Sequence, residues 1–302
     1  MKIRRVTITM LASIAAMLAI VLAGAGDAAE PRGVVSQEPQ QLTNAREDTR
    51  MYIGFDRNDY PGDGALDALR KTFAFCGFWL NDPPGGPPGE SSNSWKGKRE
   101  ILRARGFGFL VLFNGRLDKE LKAAHDPKLM GAADAQAAVK AAQTQGFPRG
   151  TIIFLDQEEG GRMLPEQREY LYAWIDAVNA ASYRTGVYCS GMLDEQGPGG
   201  VITANDIREN AGQRQISFFV YNDACPPSPG CVFSAAQVAN RQSGVPSAAA
   251  WQIAQSPRRK NITARCRATY AADGNCYAPG LAAQGIYVDV DIALSADPSN
   301  GR

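Results

Sequence analysis

Residues 150–161 read GTIIFLDQEEGG, an apolar and β-branched run closed by Asp156, Glu158 and Glu159 and then by Gly160 and Gly161. The run 151–155 has the continuous hydrophobicity of a strand buried on both faces, as in a parallel sheet covered by helices. Side chains alternate along a strand, so Asp156 and Glu158 fall on one face and Glu159 on the other. Two carboxylates on one face at the C-terminal end of a buried strand repel each other and lose hydration. Such a pair is equipment for acid catalysis, one group holding a proton beside another that has lost it. The structural alternative is an N-cap at Asp156 followed by a solvated acidic loop.

Seven further short apolar runs accompany this one, at 51–55, 75–80, 107–113, 185–189, 216–221, 248–254 and 285–294. Helical spacing separates most of them, over 63–71, 95–105, 132–145, 165–181, 205–213 and 234–241. Eight strands alternating with helices predict an α/β fold, a (β/α)₈ TIM-type barrel over residues 51–296, with 297–302 as a tail. The last two connections are irregular, and a long insertion precedes the final strand. In such barrels the strand ends form the active site. Asp56, Asn81, Asn114, Asp156, Glu158, Tyr188, Tyr221, Gln252 and Asp289 all lie at or near strand ends. Together they would make one acidic bowl rimmed by aromatic rings.

The first 29 residues are read apart from the barrel. Lys2, Arg4 and Arg5 precede a nearly unbroken apolar run over 6–22, and small residues follow. That is the pattern of a secretory signal peptide cut between Ala25 and Ala29, a membrane anchor being the alternative. Arg4-Arg5 hints at twin-arginine export. Residues 30–50 read as a flexible lead-in. The expected location is therefore secreted or periplasmic, at the cell envelope. The whole chain has 32 basic and 31 acidic side chains and no basic stripe, which argues against nucleic acid as a partner. After cleavage no membrane contact is expected, and a monomer is.

Of the six cysteines, Cys225 and Cys231 bracket a Pro-rich stretch, and Cys266 and Cys276 bracket a polar loop. In an exported protein these predict two short-loop disulfides, so the disulfide-bearing loops fall late in the chain. Cys76 and Cys189 lie in apolar runs and fit either pairing or buried free thiols. Zinc is disfavoured because no Cys-x-x-Cys occurs and His125, placed in a loop, is the only histidine. Nor is there a G-x-S-x-G elbow for a serine triad, or a phosphate loop at Gly85-Gly86 or Gly160-Gly161. No metal or other cofactor is expected.

Several motifs taken in order resemble a glycoside-hydrolase-like family of exported bacterial proteins of unassigned function, related to the family 25 lysozymes (N-acetylmuramidases). They are GFD at 54–56, DQE at 156–158, GVYCSG at 186–191, WQ at 251–252 and DVD at 289–291, together with the passage 137–156. The resemblance implies that Asp56, Asp156, Glu158 and Asp289 line an active site, with Glu158 as the proton donor. The Pro/Gly-rich loop at 83–89 and the cysteine-bearing loops depart from the lysozyme pattern. An exported glycoside hydrolase acting on an N-acetylated cell-envelope polysaccharide or peptidoglycan is the first expectation. Glu158 would be kept protonated by Asp156 and Asp56, and Asp156 would orient an N-acetyl group or act on water. A catalytically silent barrel that binds envelope glycan is the alternative, and a cation-dependent hydrolase a third reading. Tyr188, Tyr221 and Trp251 are candidates to stack on sugar rings, or else core residues. Gln252, Asn81 and Asn114 complete the candidate binding set. Asp56 could instead cap a turn, and Asp289 or Asp291 could pair with Arg57.

Overall fold

The computed structural model describes residues 50–85, 93–195, 199–238 and 240–302. The expected signal peptide, the lead-in up to residue 49 and residues 86–92 of the Pro/Gly-rich loop lie outside the described residues. All described residues belong to the compact unit Asp48–Arg302. No helix among them is long and apolar enough to cross a membrane.

Eight strands close a barrel: β1 (Tyr52–Asp56), β2 (Phe75–Trp79), β3 (Gly108–Asn114), β4 (Ile152–Asp156), β5 (Arg184–Ser190), β6 (Ser217–Tyr221), β7 (Ala250–Ala254) and β8 (Asp289–Ala293). The fully buried sequences of β2 (FCGFW) and β4 (IIFLD) follow from cover on both faces, side chains on one face filling the barrel and those on the other packing under the helices. Six helices accompany them: α1 (Leu66–Arg70), α2 (Arg99–Ala104), α3 (Asp118–Ala123), α4 (Pro127–Thr144), α5 (Pro165–Ala180) and α6 (Thr203–Asn210). The loop expected around His125 is thus mostly helical. Asp126 accepts a hydrogen bond from the Leu129 N–H at 2.8 Å, and Pro127 takes the first helical position, so α4 starts earlier than its alanine run shows.

The last third of the barrel is less regular. The expected helix at 234–241 is replaced by two 3₁₀ turns, Ala235–Gln237 and Asn240–Ser243. β8 pairs antiparallel with both β7 and β1, whereas the other ladders of the barrel are parallel. The insertion 255–288 never returns to the far end of the barrel, so β8 enters from the mouth. Its first residue, Asp289, therefore lies opposite the last residue of β1, Asp56. A register irregularity between Val290 and Asp291 re-aims the end of this strand.

The cysteine pairing differs from the expected one. Cys225 bonds Cys266 and Cys231 bonds Cys276, with Cα–Cα distances of 5.5 and 5.3 Å. Spacing along the chain favoured the near partners; the packing of the two loops against each other supplies the far ones. Cys76 and Cys189 are buried free thiols. Each bridge spans a long stretch, 41 and 45 residues, so the first to form removes about 4 kcal/mol of unfolded-state entropy. Reduction is expected to lower the melting temperature by about 10 °C. Calorimetry with and without reductant checks this, and an unchanged transition would contradict it.

Residues 297–302 are not a loose tail. Ser299 accepts from the Ile152 N–H at 2.8 Å and donates its own N–H to the Phe109 carbonyl at 2.9 Å. Its hydroxyl accepts from the Val111 N–H at 2.8 Å, and Arg99 donates to the Gly301 carbonyl at 2.7 Å. The segment thereby satisfies backbone groups at the entry ends of β3 and β4, opposite the mouth.

Candidate active site

The mouth is built where β1, β4, β7 and β8 deliver polar side chains inward. Asp56, Asp156, Glu158, Tyr188, Gln252 and Asp289 line one hollow of about 170 Å³, with Asn58, Trp79 and Gln255 beside them. Gly77 makes room for this: a Cβ there would meet the Asp56 Cβ at 2.5 Å. Gly115 does the same for the end of β4, where a Cβ would lie 2.5 Å from the Asp156 carbonyl oxygen. A second hollow, lined by Asn81, Asn114, Arg116 and Glu158, adjoins the first. A third is lined by Glu158, Tyr188, Tyr221, Gln255 and Arg259. Glu158 belongs to all three, so it stands where they meet.

One hydrogen-bond chain fixes the floor. The Gln252 amide donates to Asp56 at 2.8 Å and to Asp289 at 3.4 Å, while its carbonyl accepts from the Tyr188 hydroxyl at 2.7 Å and from Gln255 at 3.0 Å. The Ser256 N–H donates to Asp289 at 2.5 Å, and the Ser256 hydroxyl accepts from the Cys276 N–H at 2.8 Å. The Cys231–Cys276 bridge thus braces Asp289 through one serine.

Asp156 has no such support. It is buried, and neither carboxylate oxygen accepts a hydrogen bond. Burial first, and then Glu158 and Asp56, push its pKa well above the ordinary carboxylate range. Burial raises Asp56 to about 6, against the lowering by Gln252 and by its contact with Asp291. Asp289 is raised by burial and by Asp56, the Ser256 N–H opposing. Asp291 lies beneath, fully buried, its pKa raised by burial and by the charges of Asp56 and Asp289. It does not pair with Arg57, whose guanidinium instead donates to the Tyr287 carbonyl at 3.3 Å and lies over that ring.

Glu158 is exposed at the rim, and protein around its carboxyl still pushes its pKa upward. The neighbouring charge that helps is Glu159, and Arg259 opposes. Asp156 and Asp56 are the deeper groups, and the charges of Glu158 and Asp156 raise one another's pKa, since the repulsion between two carboxylates acts on both. Glu159 points the other way, accepting from the Asp118 N–H at 2.8 Å and from Gln167 at 3.2 Å. The Tyr221 hydroxyl donates to the Glu158 carbonyl at 3.0 Å and holds the loop after β4 in place.

Trp251 departs from the expected stacking role. It is fully buried, its indole N–H donates to the Asn222 carbonyl at 2.9 Å, and it lines none of the three hollows. Gln252 points into the barrel, so its neighbour along the strand must point out of it. Asn81 and Asn114 reach the second hollow but also clamp each other's strand, Asn81 donating to the Asn114 carbonyl at 2.9 Å and accepting its N–H at 2.7 Å. Gln255, Arg259, Asn58 and Trp79 are lining residues that sequence reasoning missed; the first two sit in the insertion, where no periodicity points to them. Among the described residues no three His, Cys, Asp or Glu side chains are arranged to hold a metal ion.

Residues 75–210 match the family described as Rv2525c-like, glycoside hydrolase-like domain. No curated protein matches the chain. Among solved structures, an uncharacterized protein of B. stearothermophilus is similar at 18% identity and a TM-score of 0.51, over 80% of this chain and 95% of that one. The Tat-secreted protein Rv2525c of Mycobacterium tuberculosis, solved with HEPES, shares 12% identity at a TM-score of 0.46, over 84% of this chain and 98% of that one. The modular autolysin LytC of Streptococcus pneumoniae, solved with a synthetic peptidoglycan ligand, shares 11% or less, here 10%, at a TM-score of 0.44, over 80% of this chain and 46% of that one. The part of the chain that is similar to this glycoside hydrolase-like family, residues 75–210, includes β4 with Asp156 and the loop with Glu158.

Proposed function

We propose that this protein is an exported glycoside hydrolase that cleaves an N-acetylated cell-envelope glycan. The observation that carries the reading is the pairing of Glu158, on the rim where three hollows meet, with Asp156, buried and unsupported beneath it. Glycoside cleavage needs a proton for the departing oxygen and a second group to meet the positive charge that develops on the sugar. Glu158 can reach a bridging oxygen in the cleft and holds its proton above the usual carboxylate range. Asp156 is the group positioned below, where as a carboxylate it would orient an N-acetyl group for attack or take the proton of an attacking water, and its negative charge would offset the charge developing on the sugar. Asp56, Gln252 and Asp289 form a braced wall that orients the sugar. Disulfides of the kind expected in an oxidising compartment accord with export.

One observation favours a second reading, a barrel that binds envelope glycan without cleaving it. Burial, with Glu158 and Asp56, pushes the pKa of Asp156 well above the ordinary carboxylate range, and while it keeps its proton it stabilises no cation. One experiment separates the two. The chain and its Glu158→Gln variant are incubated with peptidoglycan and a panel of N-acetylated glycans, and new reducing ends are sought by mass spectrometry. Product from the wild type alone supports the hydrolase. Saturable pull-down on one glycan without product from either supports the binder, and equal product from both removes Glu158 from the reaction.

A further inference from the structure

The geometry points to Arg259 as the seat for an anionic substituent, so that the glycan taken by this cleft carries a carboxylate beside the sugar that meets Glu158. The inference rests on the hydrolase reading for its kinetic part and on the cleft alone for its binding part.

Two arginines line the hollows, Arg116 and Arg259. The charge of Arg116 is met within the protein: its guanidinium grips Asp134 through two hydrogen bonds of 2.7 and 2.9 Å and lies 3.6 Å from Glu120. Arg259 is different. One of its nitrogens donates to the neutral Gln255 at 3.2 Å, and its guanidinium lies over the Tyr221 ring at 5.4 Å. The carboxylate it approaches, Asp223, is 3.9 Å away, beyond hydrogen-bond reach. Asp223 is fully buried and accepts no hydrogen bond on either oxygen, and its burial raises its pKa against the lowering by Arg259, so it meets the guanidinium only at a distance. A guanidinium carries five N–H donors in a fixed fork suited to a carboxylate. Here that fork is held from behind and opens on the hollow it shares with Glu158.

The loop is rigid enough for the task. The Arg259 carbonyl accepts from both the N–H and the hydroxyl of Thr263 at 2.9 Å, and Cys266 just beyond is bridged to Cys225. The electrostatics give the arrangement a consequence for turnover. Glu158 is faced by Glu159 on its own loop, by Asp156 below and by Arg259 across the hollow, and Arg259 is the group that opposes its protonation. A substrate carboxylate seated on Arg259 cancels that opposition, so binding the right glycan itself helps Glu158 keep the proton it must deliver.

Three probes test this: a neutral N-acetylglucosamine oligosaccharide, its counterpart with O3-lactyl carboxylates on alternate sugars, and the same compound with each carboxyl converted to a primary amide. Wild-type kcat/KM should favour the acid over its amide by about tenfold, with the basic limb of the kcat profile at higher pH for the acid. Arg259→Gln should bring acid and amide together, and Arg259→Lys should retain part of the preference. No discrimination by the wild type, or full discrimination by Arg259→Gln, overturns the inference. If no probe is cleaved, the hydrolase reading fails separately. Calorimetric affinities for the same acid and amide then decide, an acid preference lost in Arg259→Gln sustaining the anion seat and equal affinities ending it.

Discussion

Glu158→Gln is expected to lower glycan turnover by roughly 10²–10⁴-fold, the usual contribution of a positioned general acid, while glycan affinity stays within a few-fold. The amide keeps the size and the hydrogen-bonding capacity of the carboxylic acid but cannot release a proton to the departing oxygen. Glu158 is exposed on the rim, and the fold there is held through its backbone carbonyl, which accepts from Tyr221. The variant should therefore fold like the wild type, and loss of activity cannot be ascribed to unfolding if the melting temperature is unchanged. The pH profile gives an independent readout. Glu158 and Asp156 titrate as a coupled pair, the charge of one raising the pKa of the other, so their protons leave in two steps, and turnover belongs to the singly protonated form. Activity should fall as pH rises through the raised pKa of the donor, and Glu158→Gln should abolish that limb. A variant with normal turnover and an unaltered profile would place the donor elsewhere.

The parts of this site legible in the sequence are those where a long apolar run ends in a charge. Asp156 at the end of IIFLD and Asp56 at the end of YIGFD were readable because burial on both faces demands such runs, and an acid that closes one lies at the barrel mouth. Asp289 was readable as a mouth residue for a different reason than expected. It begins its strand, and only the reversal of β8 brings it opposite Asp56. That reversal is set by a 34-residue insertion without periodicity (residues 255–288), which hides Gln255 and Arg259 as well. Trp251 shows the limit of an apolar pattern: AWQIA reads equally well with either alternate set inward, and the polar partner of Gln252 in the barrel decides it. Cysteine spacing failed because loop–loop packing, not distance along the chain, sets the pairs.

The protein should be most stable in mild acid and lose stability as pH rises toward neutrality, and Asp291→Asn should flatten that loss. Asp56, Asp156, Asp289 and Asp291 are buried together, and burial raises the pKa of each above its unfolded value. The folded state therefore holds protons that the unfolded chain releases, so stability falls wherever the unfolded state is ionised and the folded state is not. For Asp56 that window runs from its ordinary 3.8 to about 6. At about 1.4 kcal/mol per unit this one group makes a difference of about 3 kcal/mol between the two ends. The other three continue the decline at higher pH. The carboxylates whose pKa is lowered and which give the opposite slope, Asp63, Glu100 and Asp273, are fully solvated at the surface and contribute little. Asp291 is the group to change, because it lies under the pocket, has no protein donor on either oxygen and touches Asp56. Asparagine keeps its shape, removes one ionisable group and supplies an N–H₂ donor to Asp56. Its melting temperature should exceed that of the wild type by several degrees at pH 7.5 and match it near pH 4, about 2–4 °C corresponding to each kcal/mol in a chain of this size. Scanning calorimetry from pH 4 to 8 on both proteins measures the two slopes. Parallel curves, or a variant less stable at neutral pH, would mean that the buried carboxylates are hydrated or paired in solution and that the strain assigned to them is absent.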